Sequence, residues 1–166
     1  MRNLVWILMV ACSGTNASVS GNVGGLPFTA EYALFDSTRH VSGDTVTSIT
    51  ELRFYSYDGC AWLEDPTMPV PSPSFEIAVG LDVEGLPTTA GELALGGSGL
   101  ARPADALWVV GGGQHQDAGT FTGGAISLAE VTASLIRGDL EITSPNGDYA
   151  VGSFGASHCA AADLSL

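Results

Sequence analysis

Leu140 and Ile142 alternate with Asp139, Glu141 and Thr143, the two-residue period of a strand with one buried face. Ser144-Pro145-Asn146-Gly147 follows, and Asn-Gly tolerates the positive φ that a tight turn needs. Beyond it Tyr149, Val151 and Ser153 alternate with Ala150, Gly152 and Phe154 on the way to Cys159. The pattern predicts a closing hairpin whose last strand ends in a cysteine.

The same period recurs upstream. Val19 to Leu26 reads as a first strand interrupted by glycines, and Phe28, Ala30, Tyr32 and Leu34 fall on one face of a second. Positions 36–44 carry polar residues, Arg39, His40 and Gly43, and predict a loop. Val46, Ile49, Leu52, Phe54, Tyr55 and Tyr57 form the longest run of strand formers. Trp62 to Pro73 holds four prolines, which lack the donor a ladder needs, so an irregular segment is expected. Phe75, Ile77, Val79 and Leu81 alternate with Glu76, Ala78, Gly80 and Asp82. A short strand over Glu92–Leu95 and a buried one over Ala106–Val110 follow.

From Gly119 onward the chain reads as a meander of glycine-led strands. Leu128, Val131, Thr132 and Leu135 also fit helical spacing, but the flanking strand signals favour a hairpin there. No other window supports a helix of useful length. The expected fold is all-β: an antiparallel β-sandwich or flattened barrel of about nine or ten short strands. Glycine, at 22 of 166 residues, fits a chain of thin strands and many turns.

Charge narrows the partners. Eighteen acidic residues face five basic ones, all arginine, for a formal charge of −13. Nucleic acid and anionic lipid surfaces would be repelled.

Met1 to Ala11 carries one positive charge at Arg2 and an apolar run from Leu4, too short to span a bilayer and shaped like an export signal. Met9-Val10-Ala11-Cys12 resembles the lipobox of bacterial lipoproteins. That resemblance implies cleavage before Cys12 and acylation of Cys12, with several chains anchoring the protein to the cell envelope, the outer membrane first. It implies a signal peptide over 1–11; the small polar residues that follow read as a flexible tether over 12–18, and the strand pattern as a single β-domain over 19–166. The rival is ordinary cleavage after Ala17, which releases a soluble secreted protein. Asn16-Ala17-Ser18 also matches a glycosylation sequon, which in a bacterial lipoprotein reads as coincidence.

Once Cys12 is assigned to lipid, Cys60 and Cys159 remain as an even pair, each beside a strong strand, in an oxidising compartment. A bridge closing a loop of about 100 residues would stabilise by at most about 4.7 kcal/mol. The alternative is two buried thiols; two cysteines without a histidine cluster do not make a zinc site.

Catalytic signatures are thin. The chain has no G-x-S-x-G elbow, no H-E-x-x-H and no Walker loop, and no metal or cofactor is expected. Trp62 reads as a lid over the disulfide or as a ligand platform, and His115 with Asp117 forms the most polar patch near a strand end. Three functions compete. The leading one is a non-catalytic envelope lipoprotein whose domain binds a protein or cell-envelope polymer. The second is a small-ligand or carbohydrate-binding module using Trp62, His115 and Asp117. The third is a hydrolase with a site built on His115 and a carboxylate.

Overall fold

The computed structural model describes residues 16–42, 45–65, 67–84, 90–95, 105–111 and 117–163. The expected all-β domain is there. Its strands are β1 (Ala17–Val23), β2 (Leu26–Ala30), β3 (Tyr32–Ser42), β4 (Thr45–Tyr55), β5 (Ser74–Glu84) and β6 (Gly91–Ala94), then β7 (Asp105–Gly111), β8 (Asp117–Phe121), β9 (Gly123–Val131), β10 (Leu135–Thr143) and β11 (Tyr149–His158). A short helix, α1 (Gly59–Glu64), and a 3₁₀ turn at Ala160–Ala162 complete the described elements.

All eleven strands belong to one curled sheet in the order β6-β9-β10-β11-β3-β4-β5-β7-β8, with β1 pairing β11 and β2 pairing β1. The 126–142 stretch is the β9–β10 hairpin, not a helix. Among the described residues every pairing is antiparallel except one: Ser157 and His158 of β11 run parallel to Leu34 and Phe35 of β3. That single parallel contact joins the two halves of the sheet.

The curl brings the inner faces together around one core. Phe54 of β4 meets Phe154 of β11 edge-on, with ring centroids 5.1 Å apart, and Phe28 of β2 meets Phe75 of β5 at 5.7 Å. Val19, Leu52, Ile77, Leu81, Ile126, Ile136 and Ile142 are fully buried around them. Trp108, buried as expected of the apolar β7, lies across Gly119 of β8, where a Cβ would run into its indole.

β11 serves two partners along one edge: β1 beside residues 149–154 and β3 beside 157–158. Asn16 fills the fork between them by imitating a strand. Its Nδ2 donates to the Ala33 carbonyl at 2.7 Å, its Oδ1 accepts from the Ala33 N–H at 2.6 Å, and its own carbonyl accepts from the Gly155 N–H at 2.7 Å. The side-chain amide of the sequon is therefore engaged in the fold. Ala17 and Ser18, placed by sequence in the tether, open β1.

Three local expectations are corrected. Phe28 and Ala30 do point into the main core, but Tyr32 and Leu34 do not share their face. The strand breaks at Glu31, whose carbonyl accepts from the N–H groups of Asn16 and Ala17 while its own N–H donates to Tyr55. That extra residue flips the alternation, so Ala33 and Phe35 face inward instead. Positions 36–42, expected as loop, continue β3 and pair with β4 down to Ser42 opposite Thr45. Finally, residues 62–64, expected to open an irregular segment, belong to α1, which also carries Cys60. Asp58 caps it, Oδ1 accepting from the Ala61 N–H at 3.0 Å. Six residues are too few for a helix to persist alone, so α1 depends on what it is fastened to.

Candidate functional site

The sheet has two outward faces with described side chains, and they differ in kind. Over β3, β4 and β5 the outward residues are covered. Cys60 in α1 is bonded to Cys159, with Cα atoms 5.9 Å apart, as the pairing of the two body cysteines anticipated. This bond fastens α1 to the segment after β11, and beneath it lies a second apolar cluster of Leu34, Tyr55 and Ala162, flanked by Tyr32, Tyr57 and Leu63. Such a bond marks a chain that folds in an oxidising compartment. No helix among the described residues is long and apolar enough to cross a membrane.

Beside that cluster sits a charged network centred on Arg53. Its Nε donates to Asp36 at 2.8 Å, Nη2 to Glu51 at 2.6 Å and Nη1 to Glu76 at 3.0 Å. The Asp36 side chain is fully buried, so the guanidinium supplies charge that solvent cannot. Burial alone would lower the Arg53 pKa, but the surrounding Glu51, Tyr55, Asp36 and Glu76 outweigh it and hold the group well above its ordinary value. Tyr55 donates to Glu76 at 3.2 Å; burial first and the Glu76 carboxylate second push its phenol up, so it stays a neutral donor. Three carboxylates converge here on one cation that satisfies them. The arrangement is structural.

The other outward face, across β1, β11, β10, β9 and β6, carries no cover among the described residues. Cross-strand register sets its side chains in rows. Ser18, Ser153, Asp139, Ser127 and Glu92 form one row; Ser20, Val151, Glu141, Ala125 and Ala94 form the next; Asn22, Tyr149 and Thr143 form the third. Small side chains along the middle leave an open trough of about 510 Å³, walled by Glu92, Asp139 and Glu141 and floored by Ala125, Ser127, Val151 and Ser153. Tyr149 and Val151 are among the few large apolar side chains left exposed, at 47% and 44%. Gly152 permits the face to exist: a Cβ there would overlap the Ser18 carbonyl oxygen and push β1 off β11.

Of the ligand-site residues singled out by sequence, Trp62 and Asp117 are described, and neither lines this trough. Trp62 is half-buried on α1, and Leu63 rather than Trp62 packs against the disulfide cluster. Asp117 is exposed at the start of β8, opposite Val110. Ser56 at the end of β4 bonds Phe75, which pairs with Val110, so α1 and Asp117 leave one end of the sheet three strands apart, roughly 14 Å. His115 and Cys12 lie outside the described residues. The histidine seen beside a carboxylate is His158, whose Nε2 stands 3.2 Å from Asp163; Asp163 also accepts from the Ser37 N–H and so closes the C-terminal turn onto β3. Among the described residues no group of three or more His, Cys, Asp or Glu side chains could hold a metal ion.

No protein-family model matches this chain, and no curated protein or solved structure matches it. Function has to be read from its own surfaces.

The alternation over 139–143 already marked Asp139 and Glu141 as outward, while that over 149–154 left open which of its two faces is buried. What local pattern could not supply was their neighbours. Ser18 and Glu92 reach the trough from strands over 40 positions away in sequence from any of these.

Proposed function

We propose that the domain is a non-catalytic binding module that takes a small polar ligand of carbohydrate type on the β1-β11-β10-β9-β6 face. The trough carries the proposal: hydroxyls at Ser18, Ser127 and Ser153 and carboxylates at Asp139, Glu141 and Glu92 surround a floor of small side chains. Hydroxyls and carboxylates are the donors and acceptors that a sugar's own hydroxyls pair with. Tyr149 lies outside the trough's lining, one row beyond Val151 on the same face, as a half-exposed ring on which a pyranose reaching past the trough can stack.

Size favours this over a protein partner. Four strand gaps by two row steps give a face of roughly 19 by 14 Å, near 270 Å². A standard protein interface needs about 800 Å² per partner. Docking of a whole protein would have to recruit surface beyond the trough, whereas an oligosaccharide of an envelope polymer fits within it.

Titration calorimetry against a panel of neutral and charged oligosaccharides tests the reading. Binding is expected for at least one class and should be lost in Ser153→Ile, which fills the floor with a strand-forming side chain. Binding that survives Ser153→Ile, or no binding across the panel, overturns it.

We also propose that Cys12 anchors the protein to a bacterial envelope. Support comes from Met9-Val10-Ala11-Cys12 and from cysteine use: of three cysteines, the two in the domain are bonded to each other. Cys12→Ser should move the protein from the membrane fraction to the soluble one; a mature chain starting at Ser18 would instead establish ordinary secretion.

A further inference from the structure

We propose that the end of the sheet bearing α1 and the proline-rich segment 67–73 rests against the bilayer that holds Cys12, with Met68 and Val70 in the headgroup layer. The inference rests on the reading of Cys12 as the anchor and adds which surface meets the lipid. Asn16 is pinned into the fork by its bonds to Glu31, Ala33 and Gly155. Only Ser13, Gly14 and Thr15 separate it from Cys12. Four Cα steps reach at most about 14 Å, so an acylated Cys12 keeps this end of the sheet next to the membrane.

Strand direction decides what else lies at that end. β1 starts there and β11 finishes there. β3 runs parallel to β11 and starts there too, with Tyr32 opposite Tyr55 at the close of β4. α1 and segment 67–73 follow β4, and the chain returns where the Phe75 N–H donates to Ser56 Oγ at 3.0 Å. The anchor and segment 67–73 therefore leave the sheet at the same end.

That segment suits a lipid surface. Every residue of it is exposed, Met68 and Val70 included. Pro69, Pro71 and Pro73 have no N–H, and those of Thr67 and Met68 donate to Asp65 at 3.1 and 3.0 Å, so few backbone donors lose water on contact. Two such side chains would not hold a protein on a bilayer alone; the short tether supplies the effective concentration that seats them. The exposed Glu64 and Asp65 beside the segment, and the chain's charge of −13, favour a zwitterionic surface over an anionic one.

The test is methyl NMR of the mature protein, isolated with its lipid and set in phosphatidylcholine nanodiscs that carry a spin label at the headgroup. Val151, farther up β11 from the fork, is the control, because its exposure of 44% matches the 41% of Met68 and 36% of Val70. The Met68 and Val70 signals should be lost and that of Val151 kept. A Gly/Ser insert of about 20 residues between Thr15 and Asn16 spans roughly 25 Å on average and should bring both signals back. With lipid on Cys12 established by mass, retained Met68 and Val70 signals, or equal loss at Val151, overturn the inference and leave the anchor reading standing. A mature chain whose mass shows no lipid overturns both. Signals still lost with the long insert overturn tether length as what seats this end.

Discussion

The two outward faces of this sheet are built from the same kind of strand and treated in opposite ways. Over β3–β5 the sheet is buried a second time, by a helix of six residues, a 3₁₀ turn and a disulfide, and its three carboxylates are matched to Arg53. Over β1, β11, β10, β9 and β6 a comparable set of carboxylates stands in an uncovered trough. One face is fastened to hold the fold; the other stands uncovered among the described residues, and we propose that it takes a ligand. If that division is right, substitutions on the first face should move stability and spare binding, and those on the second should do the reverse.

The largest effect is expected from the disulfide. Cys60→Ala/Cys159→Ala releases a constraint of 99 residues, for which the chain-entropy figure is about 4.7 kcal/mol and an upper value for a real protein. A loss of about 3 to 4 kcal/mol in urea unfolding is expected, with sugar affinity of the folded fraction unchanged. A double variant as stable as the parent would mean that the cover does not depend on its staple.

Arg53→Met comes next. It strips the guanidinium from the fully buried Asp36 carboxylate, and breaking such a pair from one side costs about 3 kcal/mol. Adding Asp36→Asn should recover part of the loss, because the uncompensated charge goes with it. Unchanged stability in Arg53→Met, measured by urea midpoint, would show that the network is ornamental and that the two faces are not so different.

Asn16→Ala should cost about 1 to 2 kcal/mol, since it leaves the Ala33 N–H and carbonyl without their partner at the fork of β11. Asn16→Asp should recover only the acceptor half. Amide exchange at Ala33 reports the effect directly, and protection equal to the parent's would rule out the strand-mimic role.

Where a signal was local, sequence carried it. Alternation marked β5, β10 and β11, because each has one buried face, and a run of β-branched and aromatic residues marked β4, which ends at Tyr55 instead of running on to Tyr57. It failed at Glu31, where one extra residue flips a strand, and at 36–42, where polar side chains disguised a strand that backbone pairing with β4 holds in place. It missed α1, whose six residues exist because a disulfide and a cap hold them. The bond itself was legible by counting cysteines. The trough was legible only in part: its wall on β10, Asp139 and Glu141, is visible in the alternation, but the pairing of β6 with β9 and of β1 with β11 is set by the curl of the whole sheet. Trp62 drew attention as the conspicuous aromatic, whereas the exposed ring on the open face is Tyr149.

Tyr149→Ala is the finest test of the comparison. The side chain is 47% exposed and contributes to neither apolar cluster, so its removal should change stability by less than about 0.5 kcal/mol. Its neighbours across the strands, Asn22 and Thr143, keep their backbone pairing without it. Stacking of an aromatic ring is worth about 0.5 to 1.5 kcal/mol, so affinity for the sugar should fall roughly three- to tenfold. Tyr149→Phe keeps the ring and should bind as the parent does, which separates stacking from any bond to the phenol. Tyr149→Ala with full affinity and intact fold would confine the site to the carboxylate end of the trough, near Glu92 and Asp139. Tyr149→Ala with lost stability would instead make Tyr149 part of the scaffold, and the open face would then be less open than its exposure implies.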